Sequence, residues 1–230
     1  MSALSALAQK KIAPLVNNIG PDIDGLQLTA KSTLKRLKTG ETLYLEGDTA
    51  PYCYQVISGI VKEFNTLSDG RRQIVEFYNA DDIFGISELH SQLHTAEGVT
   101  DCLLRCFDRN ALVHEIASSP QLSQRFLGML MLRLHRVRER LVMLGRMSSV
   151  QRVAAFLVRL SKEQATTQHI ILMVSRQDIA DHLGLTIETV CRAITELKKQ
   201  GLISMASKRD FSIPEIDLLD DIAHGEHGVH

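Results

Sequence analysis

The sequence predicts an α+β protein, with short strands first, one long helix in the middle and a smaller helical region closed by a hairpin. Three observations carry this. Gly40, Gly47, Gly59, Gly70 and Gly85 punctuate the first half at intervals of 7 to 15 residues, the rhythm of an all-β sandwich or barrel. After Pro120 apolar residues recur at helical spacing. The run VSRQDIADHLGLTIETVCRAITELKK, residues 174–199, reads as two short helices joined by a tight turn.

Taken in order, residues 1–25 carry few signals beyond a short helix at 6–17, and residues 31–38 read as a turn or short helix. Strands are expected at 42–45, 54–57, 60–67, 73–78 and 101–107. Ser68, Asp69 and Gly70 supply the hairpin turn between the third and fourth. From 120 the pattern is helical. Leu127, Leu130, Leu134, Val137, Leu141 and Leu144 are spaced 3, 4, 3, 4, 3, a narrow a/d seam that asks for a partner helix. The same helix of a second subunit is the simplest partner, making the protein a homodimer. The interleaved Arg133, Arg136, Arg138, Glu139 and Arg140 read as solvated positions. Residues 145–149 form the hinge, with Ser148 or Ser149 capping a helix over 151–161.

In the last region Ser175 caps a helix over 176–183, and Asp178 completes a capping box. Gly184 supplies the left-handed turn, and Thr186 caps the second helix. Val190, Ile194 and Leu197 form its buried face, while Glu188, Cys191, Arg192, Thr195 and Lys199 share another. An exposed Arg can bond guanine O6 and N7, and Glu can accept from cytosine N4. An ordinary helical corner with a Glu188–Arg192 surface ion pair fits the spacing equally well. Strands at 202–205 and 211–213 flank a turn holding Lys208 and Arg209, which makes a wing with cations suited to phosphates.

The run SRQDIADHLGLTIETVCRAITELKKQGLI resembles the CRP/FNR superfamily of bacterial transcription regulators. The E-T-V-x-R after the turn resembles the FNR/FixK branch; the cyclic-AMP receptor branch has Arg directly before that Glu, where this chain has Ile187. The run GETLYLEGD…YQVISGIVK…DGRRQIVEFYNADDIFG resembles the superfamily's β-roll, a cyclic-nucleotide-binding-like jelly roll. The resemblance implies a layout of N-terminal extension 1–25, β-roll 26–119, dimerisation helix 120–147, winged helix-turn-helix 148–213 and acidic tail 214–230. It makes Glu188, Cys191 and Arg192 the base-facing residues. Arg176, Gln177, Thr186 and Thr189, with Lys208 of the wing, become phosphate contacts. The implied site is a palindrome of the form TTGAT-N4-ATCAA. The implied partner beyond DNA is RNA polymerase, with the Asp81–Asp82 turn as one contact.

The resemblance also frames what the β-roll lacks. Cyclic-nucleotide members follow a Gly-Glu with Arg-Ser to hold the phosphate. Here the run is Gly85, Ile86, Ser87, Glu88, and no arginine lies between Arg72 and Arg105. The FNR branch draws three iron–sulfur ligands from an N-terminal cysteine cluster, and this chain has no cysteine before Cys53. Cys102 and Cys106 read as small buried strand residues. No cofactor or metal is therefore expected. His90 and His94 could hold a metal only on a helix, and His224, His227 and His230 sit in the acidic tail.

The net charge of −1 argues against a nucleic-acid binder, but its distribution does not. Residues 1–124 carry 11 basic and 15 acidic side chains, residues 125–209 carry 15 and 6, and residues 210–230 carry none and 6. No apolar run is long enough for a membrane span. The four cysteines fit a reducing compartment, and the start lacks a leader pattern, so a cytoplasmic protein is expected. No nucleophile–base pair points to an enzyme. The expectation is a cytoplasmic, homodimeric, FixK-like activator in an oxygen-limitation or nitrogen-fixation and denitrification type of regulon. The alternatives are a haem-dependent gas sensor of the same superfamily and a cupin-like enzyme. Cys191, beside Arg192 and near a helix N-terminus, is further expected to make DNA binding sensitive to oxidation.

Overall fold

The computed structural model describes residues 28, 30–86 and 91–224. The helix expected at 6–17, and Ser87, Glu88, His90, His227 and His230, lie outside them.

Eight strands come first: β1 (Ser32–Leu37), β2 (Thr42–Tyr44), β3 (Tyr52–Ser58), β4 (Val61–Thr66), β5 (Arg72–Tyr78), β6 (Ile83–Phe84), β7 (Thr95–Gly98) and β8 (Cys102–Asp108). They form two four-stranded sheets, ordered β1-β8-β3-β6 and β2-β7-β4-β5. Alternate residues of β3 and β8, namely Tyr54, Val56, Cys102, Leu104 and Cys106, join Tyr44, Val61, Tyr78, Phe84 and Ala96 in one buried cluster, as the two-residue strand period requires. Tyr54, Tyr78 and Tyr44 surround Phe84, with ring centroids 5.4, 4.8 and 6.4 Å away. Gly59 has no substitute: with φ of +92°, a Cβ there would lie 2.4 Å from the Asp101 carbonyl oxygen.

The segment read as a turn or short helix is the strand β1, paired antiparallel with β8 from Ser32↔Phe107 to Leu37↔Cys102. Its residues are exposed except Leu37, so no buried alternation marks it as a strand. The other face of β3 and β8 is covered by α1 (Arg109–Ser118), which buries Leu112 against Cys53 and Phe107. Asp108 caps α1 by accepting from the Ala111 amide.

One unbroken helix, α2 (Pro120–Arg146), follows. Then come α3 (Ser149–Glu163), β9 (Ile170–Ile171), α4 (Arg176–Leu183), α5 (Ile187–Lys199), β10 (Ser204–Met205), β11 (Asp210–Ser212) and α6 (Ile216–His224). The chain divides into two compact units. One takes the described residues up to Lys62 with Phe77–Val137; the other joins Glu63–Glu76 to Arg138 and the residues after it.

In the second unit Ser148 and Gln151 form a capping box on α3. Its face of Val153, Ala154, Phe156, Leu157 and Val158 is buried, and α5 and α6 pack on this helix. The region read as an acidic tail thus contains a helix that buries Leu219, Ile222 and Ala223. Lys162 of α3 ties it down through Asp220 at 3.1 Å. The wing has a third strand absent from the sequence reading, since β9 pairs with β11 in the order β10-β11-β9.

Candidate nucleic-acid interface

The geometry of the two-helix motif follows from its caps. The Ser175 hydroxyl accepts from the Asp178 amide at 3.0 Å, and the Asp178 carboxylate reaches back to the Ser175 amide at 3.2 Å. Gly184 ends α4 in the left-handed conformation, φ 63° and ψ 40°. Two residues on, the Thr186 hydroxyl accepts from the Thr189 amide and starts α5.

On α5 the two faces are those the spacing predicts. Val190, Ala193, Ile194 and Leu197 are buried, and Glu188, Cys191, Arg192, Thr195 and Lys199 are exposed. The Arg192 guanidinium lies 3.4 Å from the Thr189 hydroxyl. Bonds from its own amide and the Thr186 hydroxyl hold the Glu188 carboxyl below its usual range, with Arg192 adding to the effect. The Glu188 side chain is thus an ionised acceptor beside a fixed donor fork.

The other sequence-selected residues are placed as follows. Gln177 is exposed and bonded to Asp181 at 2.6 Å. Arg176 is half-buried, its guanidinium 3.5 Å from the Lys208 carbonyl and 3.9 Å from the Met205 sulfur, so it braces the wing against α4. Lys208 and Arg209 are exposed at the wing tip, where the Ser207 hydroxyl accepts from the Arg209 and Asp210 amides.

On α2, Leu127, Leu130, Leu134, Val137 and Leu141 are 41 to 66% exposed. Leu144 is half-buried and stands over the turn, 3.5 Å from where a Cβ on Gly184 would be. Two of the arginines read as solvated are not. Arg133 stacks 5.5 Å from the Tyr78 ring centre and donates to the Ile83 carbonyl. Arg140 is half-buried and donates to the carbonyls of Ile74, Val75 and His182. Helical periodicity sorts a helix into faces, but does not show whose carbonyls a face meets. For the same reason sequence reasoning missed Gln73 and Arg152, which bond the end of α4.

Cys53, Cys102 and Cys106 are buried and Cys191 is exposed. Burial pushes the Cys53 thiol up to about 11 and raises those of Cys102 and Cys106. Among the described residues no group of three His, Cys, Asp or Glu is placed to hold a metal ion, and no helix is long and apolar enough to cross a membrane.

A capped helix pair with an exposed polar second helix and a flanking basic wing is the architecture of winged helix-turn-helix DNA binders. Residues 151–222 match the Crp-like helix-turn-helix domain family, and residues 34–119 match the cyclic nucleotide-binding domain family. The chain is 35% identical to the nitrogen fixation regulation protein FixK of Rhizobium meliloti, over 95% of this chain and 99% of that one. It is 38% identical to FixK of Azorhizobium caulinodans, over 73% and 69%. The solved structure of FixK2 from Bradyrhizobium japonicum superposes with a TM-score of 0.78 at 32% identity, covering 83% of this chain and 96% of that one. The chain belongs to the CRP/FNR superfamily of transcription regulators, in its FixK-like branch.

Proposed function

We propose that this protein is a FixK-type activator of transcription, acting in the cytoplasm as a homodimer on palindromic DNA with TTGA-type half-sites. The observation that carries the reading is the exposed face of Glu188, Cys191 and Arg192 on a helix whose other face is buried. Arg192 reads guanine and Glu188 accepts from cytosine. Thr186 and Thr189, at the helix N-terminus, contact phosphates together with Gln177, Arg176 and Lys208. The exposed apolar residues of α2 support dimerisation, because two helices bury them together and place two recognition helices one DNA turn apart. RNA polymerase is recruited through exposed surfaces, the Asp81–Asp82 turn among them. The regulon is of the oxygen-limitation or nitrogen-fixation and denitrification type, a reading supported by the FixK relatives.

DNA binding needs neither a cyclic nucleotide nor an iron–sulfur cluster in this reading. The rings of Tyr44, Tyr54 and Tyr78 packed around Phe84 support it, since they fill that part of the roll interior. Selection of bound duplexes from a random pool, with purified protein and no added effector, tests the whole proposal. Recovery of TTGA-type palindromes is expected; a strict requirement for cyclic AMP, or recovery of unrelated sequences, overturns it.

Cys191 adds oxidation sensitivity. Its thiol is exposed beside Arg192 on the reading face, and an oxidised sulfur there adds bulk and negative charge against phosphates. Mild peroxide should abolish DNA binding by the wild type, reversibly with a reductant, and spare Cys191→Ser. Equal loss in both removes the role.

A further inference from the structure

The last carbonyls of any α-helix lack partners inside it. At the end of α4 three of them accept from side chains outside the helix. Gln73 of β5 donates to the Asp181 carbonyl at 2.8 Å. Arg140 of α2 donates to that of His182 at 2.9 Å, and Arg152 of α3 donates to that of Leu183 at 3.0 Å. Both arginines hold further carbonyls. Arg140 also bonds Ile74 and Val75. Arg152 bonds Leu144, near the end of α2, at 2.9 Å and Met147, in the connection to α3, at 3.1 Å. Arg152 therefore lies between the C-terminal ends of α2 and α4. Both ends carry partial negative charge, and a guanidinium between them stabilises their approach. The buried His182 ring fills the space beside this clamp, 3.1 Å from an Arg140 nitrogen and 3.4 Å from an Arg159 nitrogen.

We propose that Arg140 and Arg152 are positioning residues for DNA reading, which lock the helix-turn-helix to the end of the dimer helix and so set the half-site spacing the dimer accepts. The inference rests on the reading of the protein as a dimer on palindromic DNA. The recognition helix begins at Ile187, four residues after α4 ends at Leu183. Whatever fixes the end of α4 fixes the start of α5. In this proposal α2, unbroken to Arg146, carries the restraint set at its C-terminal end along the helix that forms the seam. Without the clamp only residues 147–148 join α2 to α3, and the winged domain can swing. Each base pair added between half-sites moves one of them by about 3.4 Å and turns it by about 35°. A rigid dimer rejects that change, whereas a loosened one follows it.

The test measures affinity of the full-length protein for palindromes whose central spacer runs from two to six base pairs, and for a duplex with one half-site. Wild type is compared with Arg140→Ala, Arg152→Ala, Arg152→Lys and the milder Gln73→Ala. The wild type should prefer one spacing. Both arginine-to-alanine variants should flatten that preference about tenfold, or about 1.4 kcal/mol, while single half-site affinity stays unchanged. Arg152→Lys should not restore it, because Arg152 donates from three separate nitrogens of a planar fork, whereas the three donors of an ammonium diverge from one point. The spacing ratio is taken within one preparation, so partial unfolding does not alter it. Weaker binding with the wild-type spacing profile would show that the arginines serve stability alone and would overturn the proposal. A wild type indifferent to spacing overturns the dimeric reading first, and the proposal with it.

Discussion

The apolar stripe of α5, Val190, Ala193, Ile194 and Leu197, lies buried inside its own chain. The stripe of α2, from Leu127 to Leu141, stands 41 to 66% exposed. Both have helical spacing, and both would be read from a sequence as faces that must be covered. The difference lies in what covers them. The α5 stripe meets α3 and α4 of the same unit, so its burial contributes to folding. In our reading the α2 stripe is covered by a second chain, so its burial contributes to association and depends on concentration.

The largest expected effect separates these two roles. Leu134→Glu should weaken dimerisation by several kcal/mol, since each of two carboxylates buried without a partner costs on the order of several kcal/mol even after relaxation. The variant should sediment as a folded monomer with native helix content; a folded dimer with unchanged DNA affinity would contradict the seam. Leu197→Ala should instead lower unfolding stability by about 2–5 kcal/mol at any protein concentration, because Leu197 is fully buried. Denaturant titration at two protein concentrations distinguishes the variants.

On the exposed face of α5, Arg192→Ala should cost about 1–3 kcal/mol per half-site, concentrated at the guanine position. Lys208→Ala should weaken all sequences alike and lower the salt slope by about one counterion. Competition with random duplexes across a salt series checks both, and equal loss on specific and random DNA would remove Arg192 from base reading.

The smallest effect comes from acid, beside the C-terminal end of α2. Burial, and then Arg140 and Arg159, hold the His182 imidazole well below its usual 6.5. Below pH 6.5 the unfolded chain takes up a proton that the folded chain refuses. The contribution of His182 is therefore fully present above that pH and declines as pH falls, by at most about 1.4 kcal/mol per pH unit. Thermal melts between pH 7 and 5 should show this decline for the wild type and a shallower one for His182→Gln.

The same contrast explains how much could be read in advance. The α4–Gly184–α5 motif was legible because its signals are local: Ser175 with Asp178, the left-handed glycine, Thr186, and an apolar period complete within one helix. The long helix and the strands β2, β3, β4, β5 and β8 were legible for the same reason, whereas the short β6 and β7 were not read. The strand β1 was not, because at the sheet edge its residues have little burial to alternate. Nor was α6, whose three aspartates match in number the three side chains it buries and mask them in an acidic stretch. Arg140 was misread as solvated, and the contact of Arg176 with the wing was not foreseen. Each finds its partners in backbone carbonyls distant in sequence, which no spacing rule can locate.

The edge position of β1 has a consequence for handling the protein. Among the described strands it pairs on one side only, leaving a row of amide and carbonyl groups that could template another chain. Lys35 and Arg36 sit in the middle of that row, and their charges repel a second copy docking edge to edge. Leu34, at 65% exposure, is the one large apolar side chain presented by this strand. The two cations oppose polymerisation through that edge, so high salt, which screens them, should favour aggregation without unfolding.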